Sequence, residues 1–228
     1  MGDAAFAVSA DLSGWERRPL PDGRSLAGRL VRLEKLDGGR HGADLAATTA
    51  APASLYDYLF EPPPVLPAEV IGWASEAAAS LDPFFYAIVD QALGRAVGRL
   101  ALMRIDAKHG VIEVGSVLFG PLLQRTAGAT EAIALLAGHV FDDLGYRRLE
   151  WKCNDRNTPS KRAAVRFGFQ YEGLFRQHMV QKGKSRDTAW FAMLDCEWPA
   201  RQRAFAAWLD PANFDAGGRH LRRLEEFR

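Results

Sequence analysis

The stretch Val111–Ala132, VIEVGSVLFGPLLQRTAGATEA, decides how this chain is read. Val111 to Phe119 is rich in β-branched and aromatic residues and reads as a strand. Gln124 to Thr130 is a turn of small and polar residues, and Glu131 falls in the first turn of a helix that runs on to Leu144. A helix N-terminus carries N–H groups without intrahelical partners, and residues this small leave a ligand room to reach them. The stretch therefore predicts an anion site suited to a pyrophosphate.

Working outward, Leu30 to Leu36 reads as a first strand, and His41 to Ala50 as a helix. Leu55 to Leu59 makes a helical turn that must stop before Pro62-Pro63-Pro64. Glu69 to Leu81 puts Val70, Trp73, Ala74 and Ala77 on one helical face. Phe84 to Val89, Arg95 to Ile105 and Val111 to Phe119 are strands joined by short turns, which makes them antiparallel neighbours. Past the turn, Ile133, Leu136, Val140 and Leu144 form a helical stripe closed by Gly145. Arg147 to Cys153 alternates as a strand. Thr158 is expected as the N-cap of the next helix, with Pro159 at its first position and Gly168 at its end. Phe169 to Tyr171, Phe175 to Val180 and Thr188 to Leu194 read as separate strands, with a hairpin tip at Lys182-Gly183-Lys184. Ala200 to Leu209 and Gly218 to Phe227 read as helical. The result is an α/β (α+β) chain: a mixed twisted sheet of about seven strands flanked by helices. Its pairing changes from antiparallel to parallel beside the 124–130 turn.

The 228 residues suit one domain, with apolar residues at 48% and charged residues at 25%. A formal net charge of +1 offers no field to attract nucleic acid or an anionic membrane. No apolar run approaches the roughly 18 residues of a membrane span. Cys153 and Cys196 have no metal or redox spacing, so a reducing cytoplasm is expected. The five histidines are scattered without metal-ligand spacing, and no metal is expected.

Several motifs together resemble the GNAT family of N-acetyltransferases, and within it the RimJ/RimL-like branch. Gln124-Arg125-Thr126-Ala127-Gly128-Ala129 resembles the family's Q/R-x-x-G-x-G/A turn, with Ala127 in a glycine slot. Ala129-Thr130-Glu131-Ala132 is similar to the A-T-E-A that opens the next helix in RimL-like members. Asn157-x-x-Ser160 followed by Gly168-Phe169 resembles the branch's N-x-x-S and G-F signature. Arg186-Asp187 and Glu197-Trp198 also fit. The resemblance spans 30–199 as an acetyltransferase domain, between an irregular extension at 1–29 and a tail at 200–228.

The resemblance implies acetyl-CoA as cosubstrate, a primary amine as acceptor (a protein N-terminus or a small molecule), direct transfer in a ternary complex, and a homodimer. Backbone amides of Val117, Leu118 and Phe119 would face the acetyl and pantetheine end, in the manner of an oxyanion hole. Gln124, Arg125, Thr126, Ala127, Gly128, Ala129 and Thr130 would cradle pyrophosphate. Glu113 is the only carboxylate in its apolar strand and is the candidate base, directly or through water; an edge-facing, solvated glutamate and a hydrogen-bond anchor are the other readings. Ala164 stands where many GNAT members carry a tyrosine acid. Ser160 would instead hydrogen-bond the coenzyme sulfur, unless it only caps its helix. Asn157 would orient coenzyme or loop backbone. The alternative function is a non-catalytic acyl-CoA sensor or interaction protein, for which Ala127 and Ala164 leave room.

Overall fold

The structure is a computed structural model that describes residues 11–49 and 52–228. Among these residues one eight-stranded sheet runs in the order β1-β2-β3-β4-β5-β6-β8-β7. Its strands are β1 (Leu26–Ala27), β2 (Val31–Lys35), β3 (Phe84–Asp90), β4 (Arg95–Asp106), β5 (Val111–Phe119), β6 (Arg148–Asn154), β7 (Gln170–Gln181) and β8 (Lys184–Leu194). Every pair is antiparallel except β5–β6, where helix α3 (Ala127–Gly138) makes the crossover. The expected change of pairing is therefore present, at the expected place.

The sheet has two unequal faces. On one, α3 and α5 (Trp198–Leu209) cover the main core, in which Leu100, Leu102, Ile112, Val114, Ile133 and Leu136 are buried. On the other, α1 (Gly38–Thr49) and α2 (Pro67–Ala78) cover a smaller core around Leu45, Val70, Ala74, Phe85 and Ala101. Alternation along β4 sends Leu100 and Leu102 to the first face and Arg99 and Ala101 to the second. Arg99 is thus a buried charged residue whose immediate neighbours on that face are Phe85, Ala87 and Ala101.

Several local expectations are corrected. The short strand β1 lies inside the segment read as irregular, and it brings the sheet to eight strands. The predicted end of the first helix at Ala50 lies outside the described residues. Helix α3 starts at Ala127 with Thr126 as N-cap, so Glu131 belongs to its second turn. The Thr126 side chain accepts a hydrogen bond from the Ala129 amide at 3.3 Å, and that bond places the start. Asn157, rather than Thr158, caps α4 (Thr158–Phe167), because its Oδ1 accepts from the Ser160 amide at 3.1 Å. Asn157→Ala should cost about 1 kcal/mol, read as a fall of about 2–4 °C in Tm. An unchanged melting curve would show the cap to be idle.

The two strands expected at 169–180 are one strand, β7, which passes two irregularities while β8 stays continuous beside it. Gly168 ends α4 in the left-handed conformation (φ 98°), as read. Gly218 to Phe227 is not a helix. The Asn213 side chain donates to the Trp208 and Arg222 carbonyls and accepts from the Arg222 amide, which holds the tail as an irregular loop. Only Leu224–Phe227 coils, as a 3-10 turn.

Candidate active site

The parallel strands β5 and β6 stay together only from Val111↔Arg148 to Val114↔Trp151. Beyond that point both continue, to Phe119 and Asn154, without pairing. A bulge drives them apart. Between Ala101↔Gly115 and Arg99↔Leu118, β5 spends one residue more than β4. The extra residue is Ser116, at φ 48°. Small residues at Gly115-Ser116 are the sequence signal for it, which the periodicity alone passes over.

The split leaves amides without sheet partners. Gly120 donates to the Val97 carbonyl of β4 at 2.9 Å. Alternation then turns the Leu118 amide toward β4 and those of Val117 and Phe119 toward the gap. Leu118 instead contributes its side chain, which is buried on the α1–α2 face. A Cβ on Gly120 would press on the Val97 carbonyl at 2.6 Å, so this end of β5 needs glycine to lie close to β4.

The turn after β5 is held by its own side chains. Gln124 Nε2 donates to the Phe119 carbonyl at 2.9 Å, and Arg125 adopts φ 62°. Thr126 caps α3, so the first-turn amides of Ala127 and Gly128 remain for an anion. The Ala127 methyl packs against the main core. Gly128 is buried, and a Cβ there would meet Val31 at 3.1 Å and Leu123 at 3.3 Å. Ala129 is buried as well. Thr130 is also buried, and its hydroxyl accepts from Arg166 at 2.9 Å, tying α3 to α4. In this turn side chains build the support, and the first-turn amides of the helix are left uncapped.

Glu131, read as part of a helix-opening motif, does something the sequence did not disclose. Its carboxylate accepts from three backbone amides, those of Arg29 (2.9 Å), Leu30 (2.6 Å) and Val31 (2.8 Å). It thereby ties the entry to β2 onto α3. A side chain on Gly28 would land on the same carboxylate.

Glu113 lies one residue before the split, buried, opposite Glu150 of β6. Its Oε2 has Lys152 Nζ at 3.0 Å and Arg104 Nε at 3.1 Å. These are contacts of charge rather than aligned hydrogen bonds. Burial pushes the Glu113 carboxyl above the ordinary glutamate range, against the pull of Lys152 and Arg104. Lys152 also pairs with Glu150 at 2.6 Å and lies 4.0 Å from the Trp190 ring. On Glu150 burial is outweighed by the Lys152 and Arg148 contacts, which leave that carboxyl lowered. Two neighbouring carboxyls are thus pushed in opposite directions. Lys152 and Arg104 escaped the sequence reading because they reach Glu113 from other strands.

Ser160 stands at the first turn of α4, where its hydroxyl accepts from Trp151 Nε1 at 3.0 Å. Asn157 Oδ1 is occupied by the cap. Cys153 is buried, and burial pushes its thiol up, which leaves it a poor nucleophile. Among the described residues no group of His, Cys, Asp and Glu is arranged to hold a metal, and no helix is long and apolar enough to cross a membrane.

On the α1–α2 face, beside Leu118, opens a cavity of about 170 Å³ lined by Leu45, Tyr56, Glu61, Val70, Trp73 and Arg99 among others. Arg99 is 3% exposed. Its guanidinium stacks 4.1 Å from the Trp73 ring, donates to the Ser116 carbonyl at 3.2 Å and pairs with Glu61. Burial pulls it down to about 10, so it stays charged at neutral pH. The loop that carries Glu61 is tied to the β7–β8 hairpin. Gln181 donates to the Tyr58 and Leu59 carbonyls, and Lys182 Nζ to the Tyr56 carbonyl at 2.6 Å.

The small-residue turn into a helix stands where the sequence motifs put it, and the split and bulge before it come from the packing of the strands. Residues 33–170 match the acetyltransferase (GNAT) domain model. The chain belongs to the GNAT acetyltransferase family. A GCN5-related N-acetyltransferase from Brucella melitensis is 51% identical, with a TM-score of 0.92, over 94% of this chain and 98% of that one. A GNAT-family structure from Chromobacterium violaceum ATCC 12472, described as a probable acetyltransferase, is 41% identical, with a TM-score of 0.79, over 84% of this chain and 96% of that one. The N-acetyltransferase p20 of Bacillus licheniformis, uncharacterized by its own description, is 30% identical over 50% of this chain. That match spans 63% of the p20 length, less than two thirds of the curated relative. Within the GNAT domain the split, the turn and Glu113 all fall inside the matched residues.

Proposed function

We propose that this chain is an acetyl-CoA-dependent N-acetyltransferase that moves an acetyl group to a primary amine by direct transfer, within the RimJ/RimL-like branch. The observation that carries the proposal is the β5–β6 split, which leaves the Val117 and Phe119 amides unpaired beside a turn in which the Thr126 cap takes the Ala129 amide and leaves those of Ala127 and Gly128 uncapped. Donors fixed in that way fit a thioester and its pyrophosphate, so the residues present suit the cosubstrate. Acetyl-CoA would supply the acetyl group in activated form, as a thioester.

The chain's own residues would do the rest. Val117 and Phe119 N–H groups hold the carbonyl and pantetheine, and the 124–130 turn holds pyrophosphate. Glu113, directly or through a water, takes the proton that the amine sheds as its nitrogen bonds to the acetyl carbon. The carbon–sulfur bond breaks in the same exchange, and the departing thiolate takes one proton, with Ser160 as its hydrogen-bond donor. An α-amino group, with a pKa of about 7.7–8.0, needs little help to lose its proton, whereas a lysine at about 10.4 needs several kcal/mol. The reaction is proposed for the cytoplasm, with a homodimer as the working assembly.

The test measures CoA-thiol release over a panel of amines, beside calorimetric titration with acetyl-CoA. Release with at least one amine is the expected result. Binding without release for any amine would favour the acyl-CoA sensor, and no binding would overturn both readings. Because the Ala127 methyl is turned to the core, Ala127→Gly should leave the acetyl-CoA Kd within about twofold. A much tighter variant would mean that the methyl blocks the cradle.

A further inference from the structure

The cavity beside Leu118 contains a charge that the fold itself does not require. Arg99 sits mid-strand on a face whose neighbours are Phe85, Ala87 and Ala101. A buried guanidinium is costly unless its charge is met, and apolar residues at such positions usually serve stability as well or better. It carries five N–H donors in a planar fork. In this structure Ser116 and Glu61 each take one in a hydrogen bond, and Trp73 stacks on its face.

The partner carboxylate is unusual in its origin. Glu61 comes from the loop between α1 and α2, not from a strand or helix packed beside Arg99, and its side chain is 28% exposed against 3% for the arginine. The cavity's other carboxylate, Glu69, is already committed, since it accepts from the Val65 amide at 2.8 Å. Among the described residues Glu61 is thus the one carboxylate on the deep cation, and it reaches it from the solvent side of the pocket.

The position is also chosen with respect to the chemistry. Arg99 is the cross-strand neighbour of Leu118, between the Val117 and Phe119 amides, and it bonds the carbonyl of the bulge residue Ser116. A molecule anchored on Arg99 has its other end beside the split between β5 and β6.

We infer that Arg99 is the specificity residue for the acceptor, that it reads a carboxylate on an amino-carboxylate substrate, and that Glu61 holds that place until the substrate displaces it. This inference rests on the acetyltransferase reading above. The apolar part of the acceptor lies against Trp73, Val70 and Leu45, so free amino acids with aromatic or long aliphatic side chains are the class that fits. Arg99 offers the carboxylate a two-pronged contact of the kind a fork of N–H donors makes best.

Two measurements test it. The first is calorimetric binding of benzoate and phenylacetate against benzamide and phenylacetamide, which needs no chemistry. The acids are expected to bind about tenfold or more tightly than their neutral counterparts. Glu61→Gln removes the competing charge and is expected to tighten the acids about threefold or more while leaving the neutral probes alone. Arg99→Gln should abolish the preference. If that variant does not fold, the Glu61→Gln comparison decides by itself. The second is CoA-thiol release with L-phenylalanine, L-leucine and L-methionine against their methyl esters, where the acids should show the higher kcat/KM. Equal binding of acid and neutral probes, failure of all the acids to bind, or Glu61→Gln weakening the acids would each overturn the inference. Acids that bind while no amine releases thiol would overturn the acetyltransferase reading and leave the carboxylate pocket standing.

Discussion

Glu131→Ala is expected to destabilise the protein by about 4 kcal/mol, because three buried or half-buried amides lose a charged acceptor together. For a chain of this size that is a fall of roughly 8–16 °C in Tm. The carboxylate does not stabilise α3 itself. It bonds residues about a hundred positions upstream and so closes the sheet edge β1–β2 onto the helix that follows the anion turn. Glu131→Gln keeps one acceptor oxygen and turns an amide NH₂ toward a backbone donor, so it should lose about half as much. Thermal denaturation of the two variants beside the parent checks the ranking. Equal, small shifts of a degree or two would mean that water replaces the side chain without cost.

The second large effect is catalytic. With Glu113 as base, Glu113→Gln should lower kcat by about 10²-fold or more at pH values where the parent's carboxyl is ionised. The sign follows from the raised pKa. Below it the parent's carboxyl is protonated and useless, so parent and variant converge. Above it the parent gains a base and the variant does not, so the deficit grows with pH and then levels. The parent's acid limb should have its midpoint above the ordinary glutamate range, because burial outweighs Lys152 and Arg104. A variant with the same fractional loss at every pH would mark Glu113 as a structural anchor.

The same variant should fold normally. A carboxyl whose folded pKa is raised adds stability below its unfolded value and loses it as pH rises through the folded one. Above that folded pKa the ionised group is therefore a burden, and a neutral amide should move Tm by no more than about 3 °C. Lys152 keeps Glu150 at 2.6 Å in either case. Activity and stability thus separate in one substitution.

Much of the architecture was legible in the sequence because local chemistry sets it. The alternation of β4 and β5, the stripe of α3, Gly168 as the end of α4, and the order of antiparallel then parallel pairing follow from side-chain period and turn residues. The motifs around Gln124–Ala129 and Asn157–Ser160 marked the candidate site for the same reason: each is a turn into a helix with its own cap. Where the reading slipped, a side-chain contact moved a boundary. Thr126 and Asn157 each took the cap by reaching an amide three residues on, and Asn213 held the tail out of helix by bonding backbone across the loop.

What only the tertiary structure decided are the meetings of residues far apart in the chain. That Ser116 is a bulge depends on how many residues β4 sets against β5. That Glu113 meets Lys152 and Arg104 depends on which strands neighbour β5. That Arg99 meets Glu61 and Trp73 depends on how α1 and α2 lie on the second face. Period and spacing can say which side of a strand a residue takes. They cannot say which charge waits there, because burial and partner, the two terms that set a group's chemistry, belong to the packed chain.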